Sequence, residues 1–367
     1  MKVIISGGGT GGHIFPALAI ADALKGKDPS IDILFVGASG KMEMEKVPLA
    51  GYKIIGLPIR GIQRKLSLKN LLVPFLLIKS LYISRKTIKS FQPDVAVGVG
   101  GYASAALLYM ASRMGIKTLI QEQNSYPGLT NRILGKRVDR ICVAFKGLDR
   151  YFPKSKIVLL GNPIRADILS CKAKSPESLS HFDLNDRKKV ILAVGGSLGA
   201  RTINNCMLKL MPKLDEMDAQ LIWQCGKGQA ELLKEKVNSK GYKSVKLHPF
   251  IHRMDLAYAA SDIVVSRSGA LAVSEIMSLK KPSILIPSPH VAEDHQTKNA
   301  KALTDEGASI LLTDAEAEEK IVAVLEDLLN SSKKMDELIK KLEQVFSNSK
   351  ASEDLATEIT KLAQNAA

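Results

Sequence analysis

The stretch that decides the fold is ISGGGTGGHIFPALAIADAL, residues 5–24, in which glycines at 7, 8, 9, 11 and 12 separate a short apolar run from an amphipathic one. With KVIIS (2–6) in front, it reads as strand, glycine turn and helix. Gly7, Gly9 and Gly12 satisfy G-x-G-x-x-G, so a dinucleotide site has to be considered. That reading also needs an acidic residue at the tip of the second strand, to take the ribose hydroxyls. The second strand runs ILFVGASG with no carboxylate at its tip, and Asp32 lies at its start, the wrong end of the sheet. The phosphate-binding loop of nucleotide hydrolases fails too, because His13 stands where lysine should follow glycine. What remains is the physics common to both: backbone N–H groups at a glycine turn and helix N-terminus form a neutral cradle for an anion.

Outward from this turn, apolar runs alternate with helical patterns. Candidate strands are KVIIS (2–6), DILFVG (32–37), YKIIGL (52–57), DVAVGV (94–99), KTLIQ (117–121), RICVA (140–144) and KIVLLG (156–161). A second series follows with KVILAVG (189–195), AQLIWQ (219–224), SVKLHPF (244–250), DIVVS (262–266), PSILIP (282–287) and ASILLT (308–313). Many are continuous and rich in Val and Ile, as expected of parallel strands covered by helices on both faces. The alternation predicts an α/β protein with doubly wound sheets. VILAVGGSLGARTINNCMLKL (190–210) repeats the opening plan, which predicts two similar domains, 1–161 and 162–350, divided near LLGNPIRADIL. The last helical stretch, ASEDLATEITKLAQ (351–364), is compatible with packing on either domain, including back on the first.

Composition narrows the class. At 367 residues, 46% hydrophobic and 24% charged, the chain describes a soluble globular protein of two domains. The opening is not a signal peptide, since the glycines interrupt any apolar core, and no run reaches the roughly 20 apolar residues of a membrane-spanning helix. Four dispersed cysteines without a CxxC or Cys/His cluster fit buried thiols and speak against a zinc site. The net charge of +15 is lopsided: residues 1–160 carry 24 Lys and Arg against 9 Asp and Glu, and the remainder is balanced. A local anionic partner for the first half follows. Aromatic content of 5%, with no aromatic-basic interleaving, argues against a nucleic acid as that partner.

Two further turns share the glycine pairing, GVGGYASAA (98–106) and GGSLGA (195–200), and a fourth, SRSGALAVSE (266–275), opens a helix with small residues and places Glu275 about two turns in. Taken singly each is an ordinary βα connection; together they suggest phosphate binding in both halves.

The ordered series GGTGGHIFPALAIA, GVGGYASAA, EQNSYPGLTNR, GNPIR, GGSLGART, RSGALAVSEI and EDHQTKNA covers essentially the whole chain. In it the sequence resembles the family 28 glycosyltransferases of bacterial peptidoglycan synthesis. The resemblance implies the GT-B arrangement of two Rossmann-like domains facing across a cleft. It also implies transfer of N-acetylglucosamine, with inversion, from UDP-N-acetylglucosamine to an undecaprenyl-diphosphate-linked N-acetylmuramyl-pentapeptide, without a metal or other cofactor.

The resemblance places the sugar nucleotide in the C-terminal domain. Glu275 would accept from the ribose hydroxyls; Ser197 with the GGSLG amides, and Arg165, would hold the diphosphate. Ile251 would pack near uracil, Ala270, Leu271, Ala272, Val273 and Ser274 would line the site through their backbone, and Gln296 would contact the sugar as donor and acceptor. His295 stands where some relatives have a first glutamine, and its role stays open. On the acceptor side, Thr10, Gly11, Gly12 and Asn124 would meet a sugar, and the lipid diphosphate would lie against GGTGG and the turn at Gly100, Gly101, Tyr102, Ala103 and Ser104. Attack by the acceptor 4-hydroxyl needs a base. His13, at a helix N-terminus that favours neutral imidazole, is the first candidate and Glu122 the second, with a structural hydrogen bond as the plainer role for Glu122.

RGIQRKLSLKNLLVPFLLIKSLYISRKTIKS (60–90) holds eight basic residues, no acid and the apolar run LLVPFLLI. Pro74 argues against one straight helix through it. It reads either as a buried helix with a solvated basic face or as a patch on an anionic bilayer, with Leu72, Phe75, Leu76 and Leu77 inserted. A lipid-linked acceptor favours the second and a peripheral place on the cytoplasmic face of the bacterial membrane. Other readings are a different sugar-nucleotide enzyme, such as a glycolipid transferase or UDP-sugar epimerase, or a nucleic-acid binder suggested only by a pI near 9.5.

Overall fold

Val3 and Ile5 point to one face of the first strand and Ile4 to the other, and all three are fully buried. A strand buried on both faces demands helices on both, which is why the continuous apolar runs become parallel strands. The computed structural model describes residues 1–61, 71–345 and 350–364. It divides the chain into two compact units, Met1–Arg165 with Lys350–Ala367, and Ala166–Ser349.

In the first unit, β1 (Lys2–Ser6), β2 (Asp32–Ala38), β3 (Lys53–Leu57), β4 (Val95–Gly98), β5 (Lys117–Glu122), β6 (Arg140–Val143) and β7 (Ile157–Leu159) form one parallel sheet in the order β3-β2-β1-β4-β5-β6-β7. The connecting helices are α1 (Gly11–Lys27), α2 (Glu43–Leu49), α3 (Val73–Phe91), α4 (Tyr102–Arg113) and α5 (Leu129–Leu134). Ile20 and Leu24 of α1 join Val3, Ile5 and Phe35 in one core, while Leu107 and Leu108 of α4 join Ile4, Val36 and Ile120 in the other.

The second unit repeats the plan. After α6 (Ala166–Leu169) and α7 (Pro176–His181) come β8 (Lys189–Val194), α8 (Arg201–Leu210), β9 (Ala219–Gln224), α9 (Ala230–Ser239), β10 (Val245–His248), α10 (Met254–Ala260), β11 (Ile263–Ser266) and α11 (Ala270–Ser278). Then follow β12 (Ser283–Leu285), α12 (His295–Thr304), β13 (Ile310–Leu311), α13 (Ala317–Leu329) and α14 (Ser332–Val345). The sheet is parallel, in the order β10-β9-β8-β11-β12-β13. Every candidate strand read from the sequence is present, the last shortened to two residues.

One sequence boundary shifts and one open alternative is decided. The division falls between Arg165 and Ala166 rather than after Gly161, because Gly161–Arg165 is tied into the first unit. Asn162 donates to the Gln123 carbonyl at 2.9 Å and accepts from Gln121 at 2.9 Å, and Ser352 donates to the Ile164 carbonyl at 3.2 Å. The final helix, α15 (Ala351–Gln364), belongs to the first unit: Leu355, Ala356 and Ile359 are fully buried in the core that α1 shares with β1, and Glu358 pairs with Arg140 at 2.9 Å. α3 starts at Val73, so Pro74 sits in its first turn, where a missing N–H costs nothing. Residues 62–70 of the basic stretch lie outside the described residues. No helix among the described residues is long and apolar enough to cross a membrane.

Leu355→Ala is expected to cost the first unit about 2–5 kcal/mol, the usual penalty for emptying a buried leucine site. Urea unfolding followed by hydrogen exchange should show earlier opening of β1 and β4 with protection of β8 and β11 unchanged.

Candidate active site

In each sheet the strand order reverses once, between β1 and β4 and between β8 and β11, and ligands of doubly wound folds bind beyond the strand ends at such a reversal. In the first unit Ser6 stands beside Gly98, and Val99 N–H donates to the Ser6 carbonyl at 2.7 Å, so the turns 7–12 and 99–102 leave the sheet side by side. Gly101 (φ +88°) lies so close to its neighbour that a Cβ there would meet the Gly8 carbonyl oxygen at 2.6 Å. Gly100 faces the His13 ring just as closely, a Cβ falling 2.8 Å from Nε2. His13, half-buried on α1, has Nδ1 3.0 Å from the Gly8 carbonyl oxygen. Thr10 and Gly12 are exposed and Gly11 half-buried, and the Thr10 carbonyl starts α1 by accepting from His13 and Ile14 N–H.

The structure changes the reading of this turn as an anion cradle. Glu43 of α2, which sequence reasoning missed, is fully buried beneath it. Its carboxylate accepts from Gly9 N–H at 2.9 Å and from Ala38 N–H at 2.9 Å. The Gly9 amide is therefore committed, and a carboxylate already occupies the place under the turn. On the neighbouring turn Tyr102 is exposed, but the side chains of Ala103 and Ser104 are buried in the core, so only their backbone could meet a ligand. The signal available in the sequence was a run of glycines, which marks close packing, as at Gly8 against Glu43, as readily as ligand approach.

Glu122, at the end of β5, is buried and surrounded by N–H donors. Oε1 accepts from Asn124 N and Nδ2 at 3.0 and 3.1 Å; Oε2 accepts from Gly128 N and Asn131 Nδ2 at 3.1 and 2.9 Å. Burial pushes the carboxyl above its ordinary range, and the four donors oppose this without cancelling it. A carboxylate enclosed this way organises the 122–132 loop and holds Asn124 at the crest. The plainer of the two sequence roles, a structural hydrogen bond at a strand end, is the one this geometry supports. Arg165 is not in the sugar-nucleotide unit to which the sequence assigned it: it belongs to the first unit, its guanidinium carbon 6.0 Å from the centre of the Phe15 ring on α1.

In the second unit Val194 pairs with Ser266, placing the 195–200 turn beside the start of α11. Gly199 N–H closes a tight turn on the Gly196 carbonyl at 3.0 Å, which pushes Ser197 and Leu198 into solvent. Gly199 (φ +79°) and Gly226 (φ +83°) pack backbone to backbone: a Cβ on Gly199 would fall 2.0 Å from the Cys225 carbonyl oxygen. Gln224 braces the arrangement, donating to the Gly196 carbonyl at 3.0 Å and accepting from Ile251 N–H at 2.8 Å. Ile251 is 4% exposed, so its side chain is a core group.

Val273 N–H bonds back to the Gly269 carbonyl, so the amides of Ala270, Leu271 and Ala272 form the open first turn of α11. Val273 itself is fully buried and Ser274 nearly so. Glu275 accepts from the Tyr258 hydroxyl of α10 at 2.9 Å, a partner the sequence did not reveal. Arg267 ties the crest to the Ile286 and Pro287 carbonyls, both at 3.0 Å, and to Asp314. Gln296 accepts from Ser288 N–H on its side-chain oxygen at 2.8 Å, which orients the amide; the nitrogen is its donor end, and the oxygen keeps a second lone pair with which it can accept. Beside it, Glu293 and Asp294 both take left-handed backbone (φ +54° and +53°), a conformation that carries strain and clusters at binding sites. Burial lowers the His295 pKa below its ordinary value, and its Nδ1 is buried with no protein partner among the described residues.

The basic stretch presents the reverse of an ordinary surface helix. Ser80, Ser84 and Thr87 of α3 are buried, while Phe75, Ile78 and Tyr82 are 71%, 66% and 69% exposed. Leu72 and Leu77 are exposed as expected, Leu76 is half-buried, and Leu71, Ile78 and Tyr82 extend the patch beyond the residues read from the sequence. Lys79, Arg85, Lys86 and Lys89 are exposed on the same helix.

Glu122→Gln replaces an acceptor oxygen by an amino group facing two N–H donors. It should lower stability by about 1–3 kcal/mol, the cost of buried donors left without a partner, read as an earlier urea transition with UDP affinity unchanged.

Comparison with known proteins follows the same division. Residues 3–143 match the glycosyltransferase family 28 N-terminal domain and residues 190–359 the glycosyltransferase family 28 C-terminal domain. A Flavobacterium psychrophilum protein named UDP-N-acetylglucosamine--N-acetylmuramyl-(pentapeptide) pyrophosphoryl-undecaprenol N-acetylglucosamine transferase is 52% identical over 335 residues, 91% of this chain and 90% of that one. The crystal structure of Acinetobacter baumannii MurG superposes with a TM-score of 0.78 at 28% identity, over 98% of this chain and 99% of that chain. A UDP-GlcNAc 2-epimerase from Neisseria meningitidis, bound to UDP-GlcNAc, shares the fold at a TM-score of 0.67 and 16% identity, over 98% of this chain and 100% of that one. With both domains matched in order, the chain belongs to glycosyltransferase family 28 and has the GT-B fold of two doubly wound parallel-sheet domains.

Proposed function

We propose that this chain transfers N-acetylglucosamine from UDP-N-acetylglucosamine to the 4-hydroxyl of an undecaprenyl-diphosphate-linked N-acetylmuramyl-pentapeptide, with inversion at the anomeric carbon. The observation that carries the reading is the second unit's crest, where a tight glycine turn, the open first turn of α11 and the Tyr258-oriented Glu275 meet at one strand reversal. Amides suit a diphosphate, and a fixed carboxylate suits the paired hydroxyls of a ribose. The 52% identity to a transferase of that name supports the same donor and acceptor.

The roles divide between the units. Ser197 and the amides of Ala270–Ala272 stabilise the charge that builds on UDP as it leaves. Gln296 donates to a sugar hydroxyl through its amide nitrogen. In the first unit His13 takes the proton from the attacking hydroxyl, Asn124 orients the acceptor sugar, and Arg165 is a positive charge for an anionic substrate. The backbone of Gly100–Tyr102 lies against the acceptor's diphosphate. The chemistry as proposed uses no metal or organic cofactor. The enzyme works at the cytoplasmic face of the bacterial membrane, with the apolar face of α3 inserted and its basic residues at headgroup level.

Incubation with UDP-N-acetylglucosamine and a short-chain lipid acceptor tests the reaction: a β-linked disaccharide product is expected, whereas epimerised sugar nucleotide or no transfer overturns it. In that assay His13→Ala should lose roughly 10²–10⁴ in kcat, the usual contribution of a general base, and keep its affinity for UDP. Binding to anionic vesicles should weaken with salt and fall at least about tenfold when Phe75 and Ile78 both become serine, as expected for two large side chains no longer buried in lipid. Duplex DNA should not compete; equal binding to neutral vesicles at every ionic strength counts against the electrostatic half.

A further inference from the structure

The peptide unit joining Gly8 to Gly9 lies between two side chains far apart in sequence. Its carbonyl oxygen is 3.0 Å from His13 Nδ1, and its N–H donates to Glu43 Oε2 at 2.9 Å. The other Glu43 oxygen accepts from Ala38 N–H at 2.9 Å, which anchors the carboxylate to the end of β2. Two glycines make the room: a Cβ on Gly8 would lie 2.1 Å from Glu43 Oε1, and one on Gly37 2.5 Å from Glu43 Cγ. Glu43 is fully buried, so it meets neither bulk water nor a ligand.

We infer that Glu43 is a positioning residue for His13, acting through the Gly8–Gly9 peptide. A carbonyl oxygen only accepts, so the hydrogen bond requires the proton on Nδ1 and makes Nε2 the basic nitrogen of the neutral ring. A carboxylate on the N–H side of a peptide draws electron density toward the carbonyl oxygen, and linked hydrogen bonds strengthen one another. The carboxylate therefore holds the histidine tautomer and ring direction as a directly bonded acid would, with one peptide plane between them. Gly100 completes the clamp from the β4 side, since a Cβ there would fall 2.8 Å from both Cδ2 and Nε2 of the ring and leave it no room. The inference goes beyond the transfer reaction itself and rests on His13 being its base.

The test uses full-length protein labelled with ¹⁵N-histidine, the His13 signal being assigned by its loss in His13→Ala. The wild type should show the Nδ1–H tautomer for His13 when the ring is neutral. In Glu43→Gln the signature should shift toward Nε2–H, and kcat should fall roughly tenfold to a hundredfold, as for outer residues that orient a functional histidine, while KM for UDP-N-acetylglucosamine stays within about twofold. Glu43→Asp keeps the charge but reaches only one amide; it should give a smaller shift of the same kind, and it carries the test if the glutamine variant does not fold. An Nε2–H tautomer in the wild type, an unchanged tautomer in the folded variants, or a loss confined to KM overturns the inference. If His13→Ala turns over normally, the base assignment fails, and the tautomer measurement still decides whether Glu43 governs the ring.

Discussion

A parallel sheet whose strand order reverses sends its connections away in opposite directions, and the backbone beyond that point is left without a neighbour to cover it. This happens once in each unit, at β1/β4 and at β8/β11, and the placement of the candidate site residues follows from it. The glycines sit there because the chain has to turn within one residue of the strand end and pass another turn at backbone contact. The approach of Gly199 to Cys225 is the tightest case, with no space for even a methyl group. Specific chemistry is then added by side chains reaching the crest from neighbouring helices.

The two crests differ in what they leave available. In the first unit, protein carboxylates occupy the donors: Glu43 takes the Gly9 amide, and Glu122 takes three N–H groups of the following loop and one of Asn131 on α5. That crest is stiff and presents an imidazole. In the second unit the braces are neutral or cationic, Gln224 beneath the turn and Arg267 behind it, and the first-turn amides of α11 remain for an anion. One crest therefore presents a titratable ring held against a carboxylate-anchored turn, and the other presents backbone amides with no acid accepting from them among the described residues.

The strands were legible in the sequence because burial on both faces leaves continuous Val and Ile runs, and the turns because paired glycines punctuate them. The repeat of strand, glycine turn and helix at 190–210 announced the second unit. What could not be read were side chains acting across the fold. Glu43 looks like any charged residue of a short helix, since nothing local says that Gly8 of the turn after β1 and Gly37 of β2 converge on it. Tyr258 and Glu275 lie 17 positions apart, on helices separated by a strand. Val273 and Ser104 fall inside motifs that resemble binding sequences, yet their side chains face the core, as does that of Ile251: a motif records which residues travel together, without separating those that touch a ligand from those that hold the turn. Pro74 was legible in a narrower sense: a proline marks where a helix can begin, and α3 starts at Val73 with the ring in its first turn.

The return of α15 to the first unit has a consequence for how the chain is made. The segment that covers one face of the first sheet is synthesised after the whole of the second unit, so the first unit is interrupted in sequence while the second is continuous. On the ribosome the second unit has all its strands and helices before the first can close, and until residues 351–364 emerge the apolar groove beside α1 is open to water. The order of completion thus runs opposite to the order of translation, and the late helix acts as the latch of the earliest-made half.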